Sequence, residues 1–468
     1  PASPYICRSV ADLNQQDLKQ EQKPNSTNMF RQAHNNLVVK RGEPVKVSPP
    51  QEETKEKGVF SLSNLDHLVC WVRTIYGFRS DERGNQMAGE VFETALRKLL
   101  VHYYPLAGRL TVVSEGKLAV SFYEQGVVFV DAEADIAMKD VEDMVRTDPS
   151  KLVELVYDDG IHCNAKPLPE CPLLVVQVTK LKCGGFVLGI CISHCLVDGF
   201  TATEVVNSWA EIARGLSIST LPCLDKRTLL PRNPPKVEFA HPEFIEMENR
   251  SPSSDQFSKE NMVHKVFRFD RETIKELKSR AMEDDGRGAL SECSTFECLT
   301  ALVWKARSKA LNMVGDQETK LIVPVNVRNK MDPPLPKGYF GNGIASACTT
   351  SKVRDLHNKP FSTTVELVHD SIKMITDARV RSWIDFYELH RTIHPLAHTM
   401  IATTWSRIPF CTTDFGWGDA ILMAPVALPC DEMVIFMSDY EKDQSGDIRI
   451  FVGLPESAMK NFQNLMMI

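Results

Sequence analysis

The sequence predicts an α/β protein built as two lobes with mixed β-sheets. Short apolar strands alternate with amphipathic helices along most of the chain, a pattern that layers helices onto sheets. A proline-rich, polar stretch from residue 216 to about 262 separates two such series. With 468 residues, 43% hydrophobic and 25% charged, the chain can bury two ordinary-sized cores.

The elements follow in order. Residues 1–36 are polar, lack an apolar core segment and read as a flexible extension, and their acidic residues argue against a transit peptide. The first lobe is expected over 37–220. Its strands are predicted at Val69–Val72, Leu118–Phe122, Val127–Val130, Leu173–Val178 and Phe186–Ile192, the last two joined by a hairpin-type connection ending in Gly184-Gly185. Val91–Leu100 carries apolar residues at helical spacing until Pro105 and Gly108 break it, and Thr203–Ala213 is an amphipathic helix ending at Gly215. Residues 221–262 form the crossover linker. The second lobe, 263–468, opens with a strand at Lys265–Phe269 and helices at Arg271–Met282 and Ser294–Leu311, the latter starting with the capping-box pattern Ser294-Thr295-Phe296-Glu297. A strand at Leu321–Val327, a mostly helical stretch at Thr364–Tyr387, and strands at Val434–Met437 and Ile448–Val452 complete it.

Charge and cysteines narrow the function classes. The net charge of -7 supplies no bulk positive field for nucleic acid or anionic membrane, so an anionic ligand must meet local Lys and Arg. No apolar run approaches a membrane span. Thirteen scattered cysteines without a C-x-x-C pair, several inside apolar runs, read as reduced thiols. With no secretory leader evident, the expected location is the cytoplasm.

Chemistry concentrates in two strings. His194-Cys195-Leu196-Val197-Asp198-Gly199 directly follows the apolar run ending at Ser193, where a histidine suits a held general base. Of 12 histidines only His194 has Asp four residues on, but chance yields about one such match in a chain this size, so the pattern alone is weak. The second string is Asp414-Phe415-Gly416-Trp417-Gly418. Its Asp-Phe-Gly also occurs in kinases, but neither a His-Arg-Asp loop nor a glycine-rich phosphate loop accompanies it. Ser294 and Thr295, at a helix start, read equally as an anion site or as plain capping. His390, His394 and His398 fall at spacings of four. Pro395 interrupts the register and no acidic or cysteine partner completes a set, so we expect no metal there and assign the row to an acceptor pocket.

The paired strings carry a resemblance. The chain is similar to the plant BAHD acyltransferases, which move acyl groups from coenzyme A thioesters to alcohols or amines and show H-x-x-x-D-G and D-F-G-W-G. Tyr104-Pro105-Leu106-Ala107-Gly108-Arg109, Gln177-Val178-Thr179, Lys182-Cys183-Gly184-Gly185, Tyr339-Phe340-Gly341-Asn342 and Thr403-Thr404-Trp405 add to it, and it runs from about Val38 to the C-terminus. Within the family, Val38–Pro44, Ser61–Asp66, Val72–Tyr76 and Pro231–Pro235 look like the hydroxycinnamoyl transferases that act on ω-hydroxy fatty acids and fatty alcohols. Relatives that acylate shikimate hold the acceptor's carboxylate with an arginine. Here Arg391 is the only arginine between Tyr387 and Ile401, and its context differs.

The resemblance implies two chloramphenicol-acetyltransferase-like lobes with a channel at their interface. It implies His194 as general base, with Thr403 and the Trp405 indole as donors near the acyl centre. Asp414 is set beside His194 by family habit, though we expect it to position structure rather than take a proton. Asp198 with Gly199 is expected to be structural, turned from the site and paired with Arg328. Phe415, Gly416, Trp417 and Gly418 are expected as scaffold. Coenzyme A contacts are expected at Ser294, Thr295, Tyr339, Gly341 and Asn342. The expected function is hydroxycinnamoyl transfer to a long-chain ω-hydroxy acid or fatty alcohol. The alternatives are transfer to shikimate, quinate or a polyamine, or a non-catalytic acyl-CoA-binding or interaction protein. No permanent cofactor is implied: acyl-coenzyme A is a co-substrate, the partners are small molecules, and the protein is expected to be a monomer.

Overall fold

The structure is a computed structural model that describes residues 37–467 apart from 51–57, 80–83, 114–115, 123–124, 162–165, 248–259, 284–291, 393 and 440–445. The expected extension over 1–36 lies outside the described residues.

Strand Phe186–Ser193 is buried at every position. It has no polar alternation because helices cover one face of its sheet and a second apolar cluster covers the other. That sheet has seven strands. Its spatial order is Val39–Arg41, Val127–Ala134, Leu174–Leu181, Phe186–Ser193, Trp71–Phe78 and Leu422–Pro425, with Val45–Val47 also on Val127–Ala134. The pairing of Val127–Ala134 with Leu174–Leu181 is parallel and the others are antiparallel, so the sheet is mixed. Helices Ala88–His102 and Gly199–Ala213 pack on one face. Helix Met138–Thr147 and the turn Pro149–Leu155 pack on the other.

The second sheet has six strands, in the order Met262–Phe269, Ile448–Pro455, Met433–Ser438, Thr399–Thr404, Glu318–Asn326 and Ile344–Lys352. Thr399–Thr404 runs parallel to both neighbours. Helices Arg271–Ala281, Thr295–Ala310, Phe361–Lys373, Asp377–His390 and Glu456–Met466 contribute to its apolar core. A three-stranded sheet of Val59–Ser61, Leu118–Ser121 and Arg109–Val112 sits beside the first.

Three features depart from the sequence expectation. The helical stretch over 364–387 is two helices, because Thr376 accepts from the Arg379 N–H and starts a new one. Strand Leu422–Pro425 belongs to the second half in sequence but pairs with Trp71–Phe78 of the first sheet, so the chain crosses the boundary set at 263 a second time. The described part of the crossover, up to residue 247, is strapped down rather than loose. Arg232 Nε donates to Asp385 Oδ2 at 2.6 Å, and the buried His241 ring bridges Glu243 at 2.9 Å and the Ser382 hydroxyl at 3.0 Å.

Candidate active site

His194 follows strand Phe186–Ser193, and its backbone is held from both lobes. Its N–H donates to the Cys70 carbonyl at 2.8 Å, and its carbonyl accepts from Asn342 Nδ2 at 2.7 Å. The residue is half-buried; Nδ1 is buried without a partner, which leaves Nε2 as the nitrogen on the open side. Burial holds the imidazole below its ordinary 6.5, opposed by the nearby negative charge of Asp198. The ring is therefore neutral near pH 7, the form that can accept a proton.

Asp198 does not orient that ring. It caps helix Gly199–Ala213 by accepting from the Thr201 N–H at 2.9 Å, with Gly199 as the first helical residue. Arg328 forks onto both carboxylate oxygens at 2.7 and 2.9 Å, and the Gly343 N–H donates at 2.9 Å. Arg328 follows strand Glu318–Asn326, so the pair joins the lobes behind the histidine. Such a bidentate contact fixes geometry as well as charge.

Asp414 caps its own loop: Oδ1 accepts from the Gly416 N–H at 2.6 Å and the Gly418 N–H at 2.9 Å, while Arg214 approaches Oδ2 at 3.4 Å. Oδ1 is thus turned onto its own loop and Oδ2 toward Arg214. Gly416 takes φ 106°, which a side chain would strain. Phe415 is 1% exposed and packs against Phe92 at 4.2 Å, Trp209 at 5.3 Å and Phe78 at 5.8 Å. Trp417 stands edge-on to Phe186 at 5.1 Å and donates its indole N–H to the Gly84 carbonyl at 2.8 Å. The segment pins the second half of the chain into the first lobe's aromatic core.

Thr403 lies near the end of strand Thr399–Thr404, and Trp405 follows with its backbone N–H on the Phe436 carbonyl at 2.7 Å. The Trp405 ring packs on Phe410 at 5.8 Å, and Phe410 meets Tyr76 of the first sheet at 6.4 Å. The Thr404 hydroxyl is engaged with Ser406 at 2.8 Å. Both Thr403 and Trp405 are half-buried at this junction between the lobes.

The residues expected to meet coenzyme A are placed as follows. Ser294 Oγ accepts from the Glu297 N–H at 3.2 Å and the Glu297 carboxylate accepts from the Ser294 N–H at 2.6 Å, so a capping box closes the helix that begins at Thr295. A carboxylate at that mouth opposes a phosphate. Tyr339 is 1% exposed and Asn342 0%, so both are interior side chains. Gly341 has φ 147° and passes so close to Lys226 that a Cβ would stand 2.1 Å from Nζ.

The histidine row does not converge. His394 is packed on Phe244 at 4.8 Å, His390 on Phe386 at 4.4 Å, and His398 sits at φ 54°. Among the described residues no group of three His, Cys, Asp or Glu side chains could hold a metal ion. Arg391 ends helix Asp377–His390 in a left-handed conformation, its N–H on the Tyr387 carbonyl at 2.8 Å. Sequence reasoning missed Asp66 and Lys226, buried and paired at 2.9 Å beside Asn342. The Ser63-x-x-Asp66 capping spacing was the available signal for Asp66. Lys226 gave none.

A family model described as the transferase family matches residues 41–467. Omega-hydroxypalmitate O-feruloyl transferase of Arabidopsis thaliana is 48% identical over 94% of this chain and 95% of its own length. Fatty alcohol:caffeoyl-CoA acyltransferase of Arabidopsis thaliana is 41% identical over 92% of this chain and 98% of its own. The crystal structure of vinorine synthase matches with a TM-score of 0.68 at 22% identity, over 91% of this chain and 96% of that one. That of TRI101 of F. sporotrichioides with coenzyme A and T-2 matches at 0.67 and 16% identity, over 87% and 97%. The two-lobed chloramphenicol-acetyltransferase-like fold is shared with both, and the extent of the sequence matches settles the family: the chain belongs to the BAHD transferase family of acyl-CoA-dependent acyltransferases.

Proposed function

We propose that this enzyme transfers a hydroxycinnamoyl group, feruloyl or caffeoyl, from coenzyme A to the hydroxyl of a long-chain ω-hydroxy acid or fatty alcohol. The products are phenolic esters of the cutin and suberin type. The observation that carries the reading is the placement of His194, its backbone held from both lobes and its Nε2 on the open side, in a setting whose burial favours the neutral ring. The names of the 48% and 41% identical relatives support the donor and acceptor classes.

The chemistry follows from the residues. An alcohol attacks a thioester poorly until its proton leaves. His194 Nε2 takes that proton as the new C–O bond forms. The carbonyl electrons move onto oxygen, and the half-buried Trp405 indole N–H and Thr403 hydroxyl are the donors we assign to that oxyanion. The C–S bond then breaks, and the coenzyme A thiolate recovers the proton from the imidazolium. No covalent acyl-enzyme is required. Asp198 with Arg328, and Asp414 with its loop, hold the frame. We read the protein as a monomeric, cytoplasmic enzyme with residues 37–220 and 263–468 as its two lobes.

The test is release of free thiol from feruloyl-CoA and caffeoyl-CoA, with ω-hydroxypalmitate, fatty alcohols, shikimate, quinate and spermidine as acceptors. Preferred turnover of the long-chain acceptors is expected. Preference for shikimate, quinate or spermidine would overturn the acceptor class, and binding of acyl-CoA without turnover would overturn the enzymatic reading.

A further inference from the structure

A buried ion pair lies behind the histidine and takes no part in the chemistry above. Lys226 comes from the crossover, Asp66 from the turn Asn64–Asp66 of the first lobe. Their side chains are 7% and 0% exposed, and Lys226 Nζ stands 2.9 Å from Asp66 Oδ2. Nζ also donates to the Phe340 carbonyl at 2.6 Å and lies over the Tyr339 ring at 4.9 Å. Burying two charges is costly unless their remaining hydrogen-bonding capacity is met, and here that of the carboxylate is. Asp66 accepts from the Ser63 N–H and hydroxyl at 2.8 Å each, from the Asn342 N–H at 2.8 Å and from Asn342 Nδ2 at 3.1 Å. Burial pushes this carboxyl upward, but Lys226 and the Asn342 and Ser63 donors outweigh it and hold it below the usual carboxylate range.

An ionised carboxylate only accepts hydrogen bonds. Asn342 Nδ2 lies between two such acceptors, Asp66 Oδ1 and the His194 carbonyl, so the amide has one permitted orientation. Flipped, it would set oxygen against oxygen twice. In the permitted orientation Asn342 Oδ1 and His194 Nδ1 are both buried without a partner in this structure.

We propose that Lys226 and Asp66 are positioning residues for His194: the crossover lysine keeps Asp66 an acceptor, Asp66 fixes the Asn342 amide, and Asn342 fixes the backbone that carries the base. The crossover therefore contributes to the geometry of the active site as well as joining the lobes. The inference rests on His194 being the base.

The test uses the full chain with feruloyl-CoA and ω-hydroxypalmitate, and two variants. Lys226→Met removes the lysine. The double variant Asp66→Asn with Lys226→Met leaves no lone buried charge and decides the matter if the single variant is insoluble. Both are expected to lower kcat by about 10- to 100-fold, the usual cost of a misplaced catalytic group, with each KM within about twofold of wild type. The double variant removes one negative and one positive charge together, so the acid limb of the pH–rate profile stays near its wild-type position and the loss is read in kcat. Coenzyme A binding and the melting temperature serve as checks on folding. Folded variants with wild-type kcat overturn the proposal. His194→Ala in the same assay separates the two readings. If it remains active, the base assignment fails. If it is inactive while the variants match wild type, only the positioning role fails.

Discussion

The His194–Gly199 and Asp414–Gly418 segments each place an aspartate in a tight turn, and they hold different things together. Asp198 reaches across the molecule to Arg328 and fastens one lobe to the other at the histidine. Asp414 reaches only its own loop and Arg214, while its neighbours Phe415 and Trp417 enter the first lobe's aromatic core. One segment carries a reactive group on a cross-lobe brace, and the other is an anchor. Two motifs that recur together in a family can therefore divide the work, with chemistry in one and assembly in the other.

That contrast can be broken by substitution. The largest effect belongs to His194→Ala, expected to lower turnover by about 10²- to 10⁴-fold with an unmoved melting transition; a reduced melting temperature with retained turnover would reverse the roles assigned to the two segments. Arg328→Met leaves the Asp198 carboxylate, 2% exposed, without its countercharge, and should cost about 3–5 kcal/mol of stability in urea unfolding. Asp198→Asn should reduce the yield of soluble folded protein more than it shifts the pH–rate profile. Phe415→Ala opens a void among Phe92, Trp209 and Phe78 and should cost about 3–5 kcal/mol, read in the same unfolding experiment. Asp414→Asn is the mildest. It weakens two loop hydrogen bonds and should cost about 1 kcal/mol, leaving the pH profile in place; a shifted acid limb would move Asp414 into the chemistry.

Local order was largely legible in the sequence. Phe186–Ser193 was evident from its unbroken apolar run, and the helix at Thr295 from the Ser294–Glu297 capping box. Seven strands were not. Val39–Arg41, Val45–Val47, Val59–Ser61 and Arg109–Val112 are three or four residues long, too short to show a period, and the other three were hidden for different reasons. Ile344–Lys352, rich in Ala, Ser and Thr, lies at a sheet edge where packing asks little of it. Thr399–Thr404 follows a histidine- and proline-containing stretch that obscures its start, and Leu422–Pro425 gains its partner from a strand some 350 residues earlier. At the site, a sharp turn after a buried strand marked His194. Its support comes from Asn342, Asp66, Lys226 and Arg328, on four separate segments, and no periodicity links positions so far apart. The resemblance implied the Arg328 contact. It also led to coenzyme A assignments at Ser294, Tyr339 and Asn342, where the structure has a capping box and two interior side chains.

Burial keeps His194 unprotonated and able to accept the acceptor's proton. The pH dependence of kcat/KM, measured on wild type and on His194→Ala, tests this directly. Because burial lowers the imidazole below 6.5, the base form persists into mildly acidic solution. The wild-type rate should fall only as pH drops through a midpoint below 6.5, and that limb should vanish from the residual activity of His194→Ala. A midpoint above 6.5, or the same limb persisting in the variant, would contradict the account.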